Sequence, residues 1–207
     1  EWYLEAPDLR RVGNGIQLSV NVDSAFVRYN RVNQCFDAGI SPQAWVGGSV
    51  MSNIWIHDNI IRNCWYSYET WSAPTYTLSN THFYNNDCYD AGNNWSNSIH
   101  QRPDLNNACH VIMWALTGTA TNVTVRANVF KNSTNFALRL DDNVNKLVVD
   151  YNLYDCDTVG YTAESTKYTT LAAWQSAMSQ DAHSVSGDPL ILSTFTSRFK
   201  EDSPLVD

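Results

Sequence analysis

The chain has 207 residues, 43% of them apolar, enough to bury one continuous core and about the size of one domain. Thirteen Lys and Arg against 21 Asp and Glu give a formal charge of −8, which repels a phosphate backbone and argues against nucleic acid as a partner. No apolar run reaches the length of a membrane span, and no basic-then-apolar segment opens the chain, so neither a membrane anchor nor a signal peptide is expected within it.

A short motif recurs five times along the chain: FVRYNRV ending at Val32, IHDNII at Ile61, FYNNDC at Cys88, VRANVF at Phe130 and VVDYNLY at Tyr154. Each copy holds one Asn at the same place, Asn30, Asn59, Asn86, Asn128 and Asn152, with separations of 29, 27, 42 and 24 residues. A period of that length marks a solenoid. Apolar residues alternate before the Asn, as in Ile54 and Ile56 or Val123 and Val125, and resume two residues after it at Ile61 and Phe130. Period two predicts strands. A second apolar run precedes each motif, seen in residues 15–20 (GIQLSV), 110–116 (HVIMWAL) and 136–140 (FALRL). Several short strands per repeat, joined by tight bends, make one coil of a parallel β-helix.

A buried amide without partners costs about 1–3 kcal/mol, so the five Asn need a stack of equivalents to bond. Successive coils lie ~4.8 Å apart, close enough for amide to meet amide, and the Asn are therefore read as structural. Cys35 and Cys64 each follow their Asn by five residues and are expected to stack in the core as well. Five cysteines is an odd count, which excludes a fully paired disulfide framework. Cys88 and Cys109 flank a polar stretch and either clamp its base or stay as buried thiols.

Four segments in chain order are candidates for chemistry. Residues 65–71, WYSYETW, place Trp65 and Glu69 on one strand face and Tyr66 and Tyr68 on the other, with Trp71 following. Unless a loop covers it, one face then shows rings outward; the competing view has Trp65 and Trp71 anchoring the core. The 42-residue gap leaves an insertion over residues 89–109 that holds Asp90, Trp95, His100, Arg102 and Asp104. It reads as a groove wall or as a solvated decoration. In residues 136–142, FALRLDD, Leu138 and Leu140 point inward and Arg139 outward, followed by Asp141 and Asp142. Arg139 is a candidate base, and Asp141 with Asp142 candidate ligands for calcium, although a salt-bridged turn explains the same residues. Residues 169–178, TTLAAWQSAM, have a Thr start and Leu171, Trp174 and Met178 at helical spacing, which predicts a helix capping the open end of the core. An irregular wrap follows, with DPL at 188–190 and SPLVD at 203–207.

The tandem VxVxxNxF copies, together with TLAAWQSAMSQDAHSVSGDPL, resemble bacterial right-handed parallel β-helix proteins of the pectate-lyase-like superfamily, which act in carbohydrate degradation. The resemblance covers most of the chain. It implies an all-β, right-handed β-helix occupying residues 1–207 as one domain, with clear coils over 22–160 and a capping helix and tail over 168–207. EWYLEAP, Glu1 to Pro7, is similar to a segment lying inside longer family members, which implies the C-terminal part of a longer protein. A secreted, periplasmic or cell-surface location in a bacterium follows from the same resemblance.

Aromatic residues make up 13% of the chain, including eight Trp and 11 Tyr. A pyranose has an apolar face that stacks on a ring and hydroxyls that need amide or carboxylate partners, so the mixture suits a sugar surface, though many such rings are core. The leading expectation is a non-catalytic carbohydrate-binding module for a xylan-like plant cell-wall polysaccharide, attached to or part of a catalytic protein. Trp65, Tyr66, Tyr68, Glu69, Trp71, Asp90, Trp95, His100 and Arg102 are its binding candidates, and calcium is its one conceivable cofactor. The alternative is a polysaccharide lyase or glycoside hydrolase. A glycosidase needs two carboxylates about 5 Å or about 6.5–9.5 Å apart, for which Glu69, Asp90 and Asp104 are candidates; a lyase would use Arg139 with Asp141. A structural adhesin or stalk is the third reading. The five His are scattered, with only His100 and His110 near the insertion, so no histidine metal site is expected.

Overall fold

Most strands of the computed structural model fall into three parallel sheets, which the chain visits in the same order on every circuit, and two antiparallel pairs, Tyr3–Glu5 with Arg10–Val12 and Ile191–Ser193 with Arg198–Phe199, stand apart from them. The structure describes residues 3–5, 10–44, 46–72, 75–93, 107–113, 119–140, 147–162, 166–193 and 198–199. Sheet I runs through Ile16–Ser19, Ala38–Ala44, Tyr66–Ser72, Cys109–Met113, Phe136–Arg139 and Gly160–Tyr161, with Lys167–Tyr168 added antiparallel. Sheet II takes Val22–Arg28, Val50–His57, Thr77–Tyr84, Thr119–Arg126 and Leu147–Asp150. Sheet III takes Arg31–Asn33, Ile60–Arg62, Asp87–Ala91, Val129–Ser133, Leu153–Asp155 and Val185–Ser186. Each strand pairs in register with its counterpart one circuit on, as in Ala25↔Ile54 and Thr81↔Val123. The fold is thus dominated by β-structure in parallel sheets, with one helix among the described residues, and that helix is too short to cross a membrane.

Sheets II and III meet at a two-residue bend, and the bend explains the repeated Asn. Its first residue is left-handed every time: Tyr29, Asp58, Asn85, Ala127 and Tyr151 have φ of 59°, 54°, 53°, 54° and 60°. Non-glycine residues resist that conformation by roughly 1–2 kcal/mol, so something must hold it. The second residue is the motif Asn, and its amide does so. Asn30 Nδ2 donates to Asn59 Oδ1 at 2.9 Å, Asn59 to Asn86 at 2.9 Å, Asn86 to Asn128 at 3.1 Å and Asn128 to Asn152 at 3.1 Å. Each Oδ1 also accepts the backbone N–H of the Asn before it, at 3.0–3.1 Å. Asn59, Asn86, Asn128 and Asn152 are at most 1% exposed, so this ladder runs inside the protein.

Two further amide rows lie nearer the surface and were not expected. Within sheet II, Asn53, Asn80 and Asn122 are left-handed, and Asn122 Nδ2 donates to Asn80 at 2.8 Å, Asn80 to Asn53 at 3.1 Å and Asn53 to Asp23 at 2.7 Å. Along sheet III, Asn63, Asp90 and Asn132 are also left-handed, and Asn132 Nδ2 donates to Asp90 Oδ1 at 3.1 Å. Asn and Asp tolerate this region best, which is why both rows are built from them.

The core is a column of registered side chains, including Ile40, Tyr68, Val111 and Leu138 from sheet I and Ile54, Ile56, Phe83 and Val125 from sheet II. Its C-terminal end is closed by the helix Leu171–Met178, whose first turn is capped by Thr170 Oγ1 accepting from Ala173 N at 3.2 Å. Leu171 and Trp174 are buried, and Met178 packs partly buried on the core, as their spacing predicts. Trp174 lies so close on Gly160 that a Cβ there would stand 2.1 Å from Cε3. Trp174 Nε1 and Tyr154 Oη both donate to Asp181 Oδ2, at 3.0 and 2.7 Å. The ladder ends at the same place, with Asn152 N–H donating to Ser184 Oγ at 2.7 Å and Ser184 bonded to Asp181.

Of the insertion expected over residues 89–109, residues 89–91 belong to the sheet III strand ending at Ala91 and Cys109 starts a sheet I strand; residues 94–106 lie outside the described residues. Cys88 and Cys109 do not clamp its base. Both are thiols, Cys88 in the core and Cys109 in a separate apolar cluster, and Cys35 and Cys64 pack in the core as expected. The tail pairs Ile191–Ser193 with Arg198–Phe199, and residues 203–207 lie outside the described residues.

Candidate functional site

Of the residues expected to meet a ligand, those on the strand Tyr66–Ser72 are placed differently from expectation. Trp65, Tyr66 and Tyr68 are 2%, 2% and 1% exposed, so none offers a ring to solvent. The expectation assumed strict alternation, but sheet I turns two successive residues inward. Ser67 and Tyr68 both face the interior: Ser67 Oγ lies 3.0 Å from His110 Nδ1, and the Tyr68 ring packs 4.7 Å from Phe83. Tyr66 and Trp65 instead join a second apolar cluster with Ala38, Ala108, Ile112 and Phe136, where Trp65 Nε1 donates to Asn107 Oδ1 at 3.0 Å.

Glu69 and Arg139 come onto one row. The register runs Glu69, Ile112, Arg139, Tyr161 along sheet I, placing the carboxylate and the guanidinium two strands, ~10 Å, apart with Ile112 between them. Glu69 is buried and accepts from Gln43 Nε2 at 2.6 Å, while Arg139 lies 5.2 Å over the Tyr161 ring. Asp90 is on sheet III in the amide row and does not meet Glu69. Trp95, His100, Arg102, Asp104, Asp141 and Asp142 lie outside the described residues, as does the side chain of Trp71.

An exposed aromatic face does exist, on the outside of sheet II. Two outward positions recur in every circuit, four and two residues before the ladder Asn. The first row is Phe26, Trp55, His82, Thr124 and Val148; the second is Arg28, His57, Tyr84, Arg126 and Asp150. Phe26 and Trp55 stack at 4.7 Å and 13°, Trp55 lies 6.3 Å from His82, and His82 Nδ1 is 3.0 Å from Thr124 Oγ1. In the second row His57 and Tyr84 stack at 4.8 Å and 14°. The bend residues Tyr29 and Tyr151 flank the rows, 72% and 50% exposed, and Phe26 is 61% exposed. Arg28 stands over Phe26 and Tyr29, at 5.8 and 5.4 Å, and Arg126 over Tyr151 at 5.6 Å. His183 stacks on Tyr151 at 4.6 Å and bonds Asp150 at 2.8 Å.

Strand spacing sets the ring spacing: parallel in-register strands hold equivalent side chains ~4.8 Å apart, close to stacking distance. Rings stacked this way use their faces on each other and turn their edges outward. The face therefore presents the half-buried edges of Trp55, His82 and Tyr84 between two guanidinium groups, while His57 is buried beneath them with its Nδ1 2.7 Å from Asp58 Oδ2. Burial first, and then the Arg126 charge, hold the His82 imidazole below its usual range, so it is neutral at pH 7 and able both to donate and to accept. The sequence carried a signal for this face that periodicity alone did not single out: aligned on the ladder Asn, the −4 and −2 positions read Phe, Trp, His and Arg, His, Tyr in the first three copies.

A separate cleft of about 350 Å³ lies near the C-terminal end, lined by Asn132, Tyr154, Asp155, Cys156, Asp157 and Gly187. Asp155 there is already paired with Lys131, which also bonds Asp188 at 2.8 Å. Among the described residues no three His, Cys, Asp or Glu side chains gather as a metal site. No protein-family model, curated protein or solved structure matches the chain.

Proposed function

We propose that the chain is a right-handed parallel β-helix that binds a neutral, xylan-like plant cell-wall polysaccharide on the outer face of sheet II, as a non-catalytic module of a secreted carbohydrate-degrading protein. The observation that carries this reading is the pair of registered rows Phe26–Trp55–His82 and Arg28–His57–Tyr84, of which Phe26 and Arg28 are exposed, Trp55, His82 and Tyr84 half-buried and His57 buried. Sheet spacing, ~4.8 Å, is about the length of one sugar unit, so a linear glycan laid along the stack meets a ring edge and a polar group at each unit. Contacts of this kind favour hydroxyl-rich ligands, because indole N–H, imidazole, phenol and guanidinium supply donors and acceptors in turn. The three parallel sheets, visited in constant order and closed by a helix, are what a β-helix requires.

The test is affinity electrophoresis of the full chain against xylan, mannan, β-glucan, pectin and alginate, with Trp55→Ala and Phe26→Ala alongside. Aromatic contacts contribute about 1 kcal/mol each, so either substitution should weaken retardation about fivefold at unchanged circular dichroism. Retardation that survives both substitutions removes sheet II as the binding face. A second reading has its own support in the Glu69–Ile112–Arg139 row, which places a carboxylate and a cation on one face as a polysaccharide-cleaving enzyme would. Reducing-sugar and ultraviolet assays for unsaturated ends on the same panel would detect it, with Arg139→Ala and Glu69→Gln abolishing the signal.

A further inference from the structure

We propose that Cys35 and Cys64 are the two ends of a disulfide that staples the first circuit to the second, formed by exchange with a small-molecule disulfide such as oxidised glutathione. The two residues occupy one position of the repeat. Asn33 pairs with Arg62, so two residues further on Cys35 stands opposite Cys64, and the Gln34 N–H to Arg62 carbonyl bond of 3.2 Å carries that register past the strand ends. Neighbouring strands lie ~4.8 Å apart, inside the roughly 4.4–6.8 Å range over which two Cα atoms can be bridged. Ala91 and Ser133 take the same position on the next two circuits, so the pair has no third thiol in its column.

Space for the sulfurs is provided by a second registered pair. Gly15 and Gly39 lie opposite each other one residue before the Ile16↔Ile40 pair, and a Cβ on them would stand 2.7 Å from Cys35 Sγ and 3.4 Å from Cys64 Sγ. Any other residue at Gly15 would push into the sulfur. The two glycines therefore keep the volume beside both thiols clear of side chains.

The two thiols also differ in the way exchange requires. Cys35 is half-buried and Cys64 is 1% exposed. The Cys64 thiol, which also lies 3.3 Å from the Arg62 carbonyl, holds the neighbouring Cys35 thiol below the usual range, while Cys35, and burial after it, push Cys64 well above. Cys35 is then the reachable nucleophile and Cys64 the sheltered partner. The Cys35 thiolate attacks one sulfur of oxidised glutathione and expels a glutathione thiolate, leaving a mixed disulfide on Cys35. Cys64, giving its proton to the glutathione thiolate just expelled, attacks the Cys35 sulfur and expels the second glutathione. Two protein thiols are oxidised, one glutathione disulfide is reduced to two thiols, and one protein disulfide remains. Cys88 registers with Ile61 and Phe130, and Cys156 follows Asp155, which registers with Lys131, so neither has a cysteine opposite it and both stay reduced.

The native full-length chain is incubated with oxidised glutathione, alkylated under denaturing conditions and mapped by peptide mass spectrometry. The expected product is a Cys35–Cys64 cross-linked peptide lighter by two hydrogens, with Cys88, Cys109 and Cys156 alkylated, and a melting temperature several degrees above that of the reduced chain. The Cys35→Ser variant should leave Cys64 fully alkylated. Glutathione remaining on Cys35, a link to any other cysteine, or both thiols still alkylated would overturn the proposal.

Discussion

Replacing Asn128 by Ala removes the middle of the buried ladder, and the cost can be worked from its bonds. Asn128 Oδ1 accepts the Asn86 backbone N–H at 3.0 Å and the Asn86 amide at 3.1 Å. Its Nδ2 donates to the carbonyls of Phe83 and Arg126 and to Asn152 Oδ1, at 3.1, 3.0 and 3.1 Å. Alanine leaves the Asn86 N–H buried without an acceptor, about 1–3 kcal/mol, and removes the two Nδ2 hydrogens shared among three acceptors, about 1 kcal/mol for each hydrogen, while the Asn86 amide keeps its bonds to the Ile56 and Tyr84 carbonyls. The sum is about 4 kcal/mol, or on the order of 10 °C in melting temperature for a chain of this size. Asn30→Ala is the internal control. It is half-buried at the end of the ladder, and its removal leaves Asn59 Oδ1 still accepting the Asn30 N–H at 3.0 Å, so it should cost about 1 kcal/mol or less. Urea unfolding followed by circular dichroism reads both, with an unchanged m-value expected. Equal losses in the two variants, or less than about 1 kcal/mol for Asn128→Ala, would refute the ladder as a source of stability.

Tyr68→Phe removes a buried hydroxyl that has no hydrogen-bond partner among the described residues, so unfolding free energy should stay level or rise by about 1 kcal/mol while glycan retardation is unchanged. A loss of retardation would return this strand to the binding face. Gly160→Ala drives a methyl against Trp174 and should cost about 2 kcal/mol, with faster amide hydrogen exchange across residues 171–178; unchanged exchange would show that the helix is not held by this contact. Burial lowers the His110 imidazole to about 3, whereas an unfolded imidazole takes its proton near pH 6.5. Between those values the unfolded chain holds the extra proton, so this residue's contribution is intact above about pH 6.5 and is lost at about 1.4 kcal/mol per unit as pH falls. His110→Gln should flatten the pH dependence of urea unfolding between pH 7 and 5, and an unaltered slope would assign the acid sensitivity elsewhere.

Sheets II and III and the bend between them were legible because their inward positions obey period two and their bend demands one amide at one place. Ile54, Ile56, Val123 and Val125 alternate without interruption up to the left-handed residue, and the Asn follows it. The same alignment contained the outer face of sheet II, two and four residues before each Asn. Sheet I was misread because two successive residues turn inward on each circuit, Gly39 with Ile40, Ser67 with Tyr68, His110 with Val111 and Ala137 with Leu138. Alternation counted through such a corner assigns the wrong face to everything before it, which is how Tyr66 and Tyr68 came to share a predicted face.

From residue order alone came the repeat, the parallel stacking, the buried Asn ladder and the helix Leu171–Met178, because each depends on local periodicity or on a buried polar group that must be satisfied by its own equivalents. Only the tertiary structure decided which outer faces are covered. Trp65, Tyr66 and Glu69 are buried, while Phe26, Tyr29 and Tyr151 stay open. It also brought Glu69 level with Arg139 across Ile112, and turned the sheet II rings edge-outward by stacking them at strand spacing. Exposure and facing are set by contacts between residues tens of positions apart in the chain, and neither is written in a local pattern.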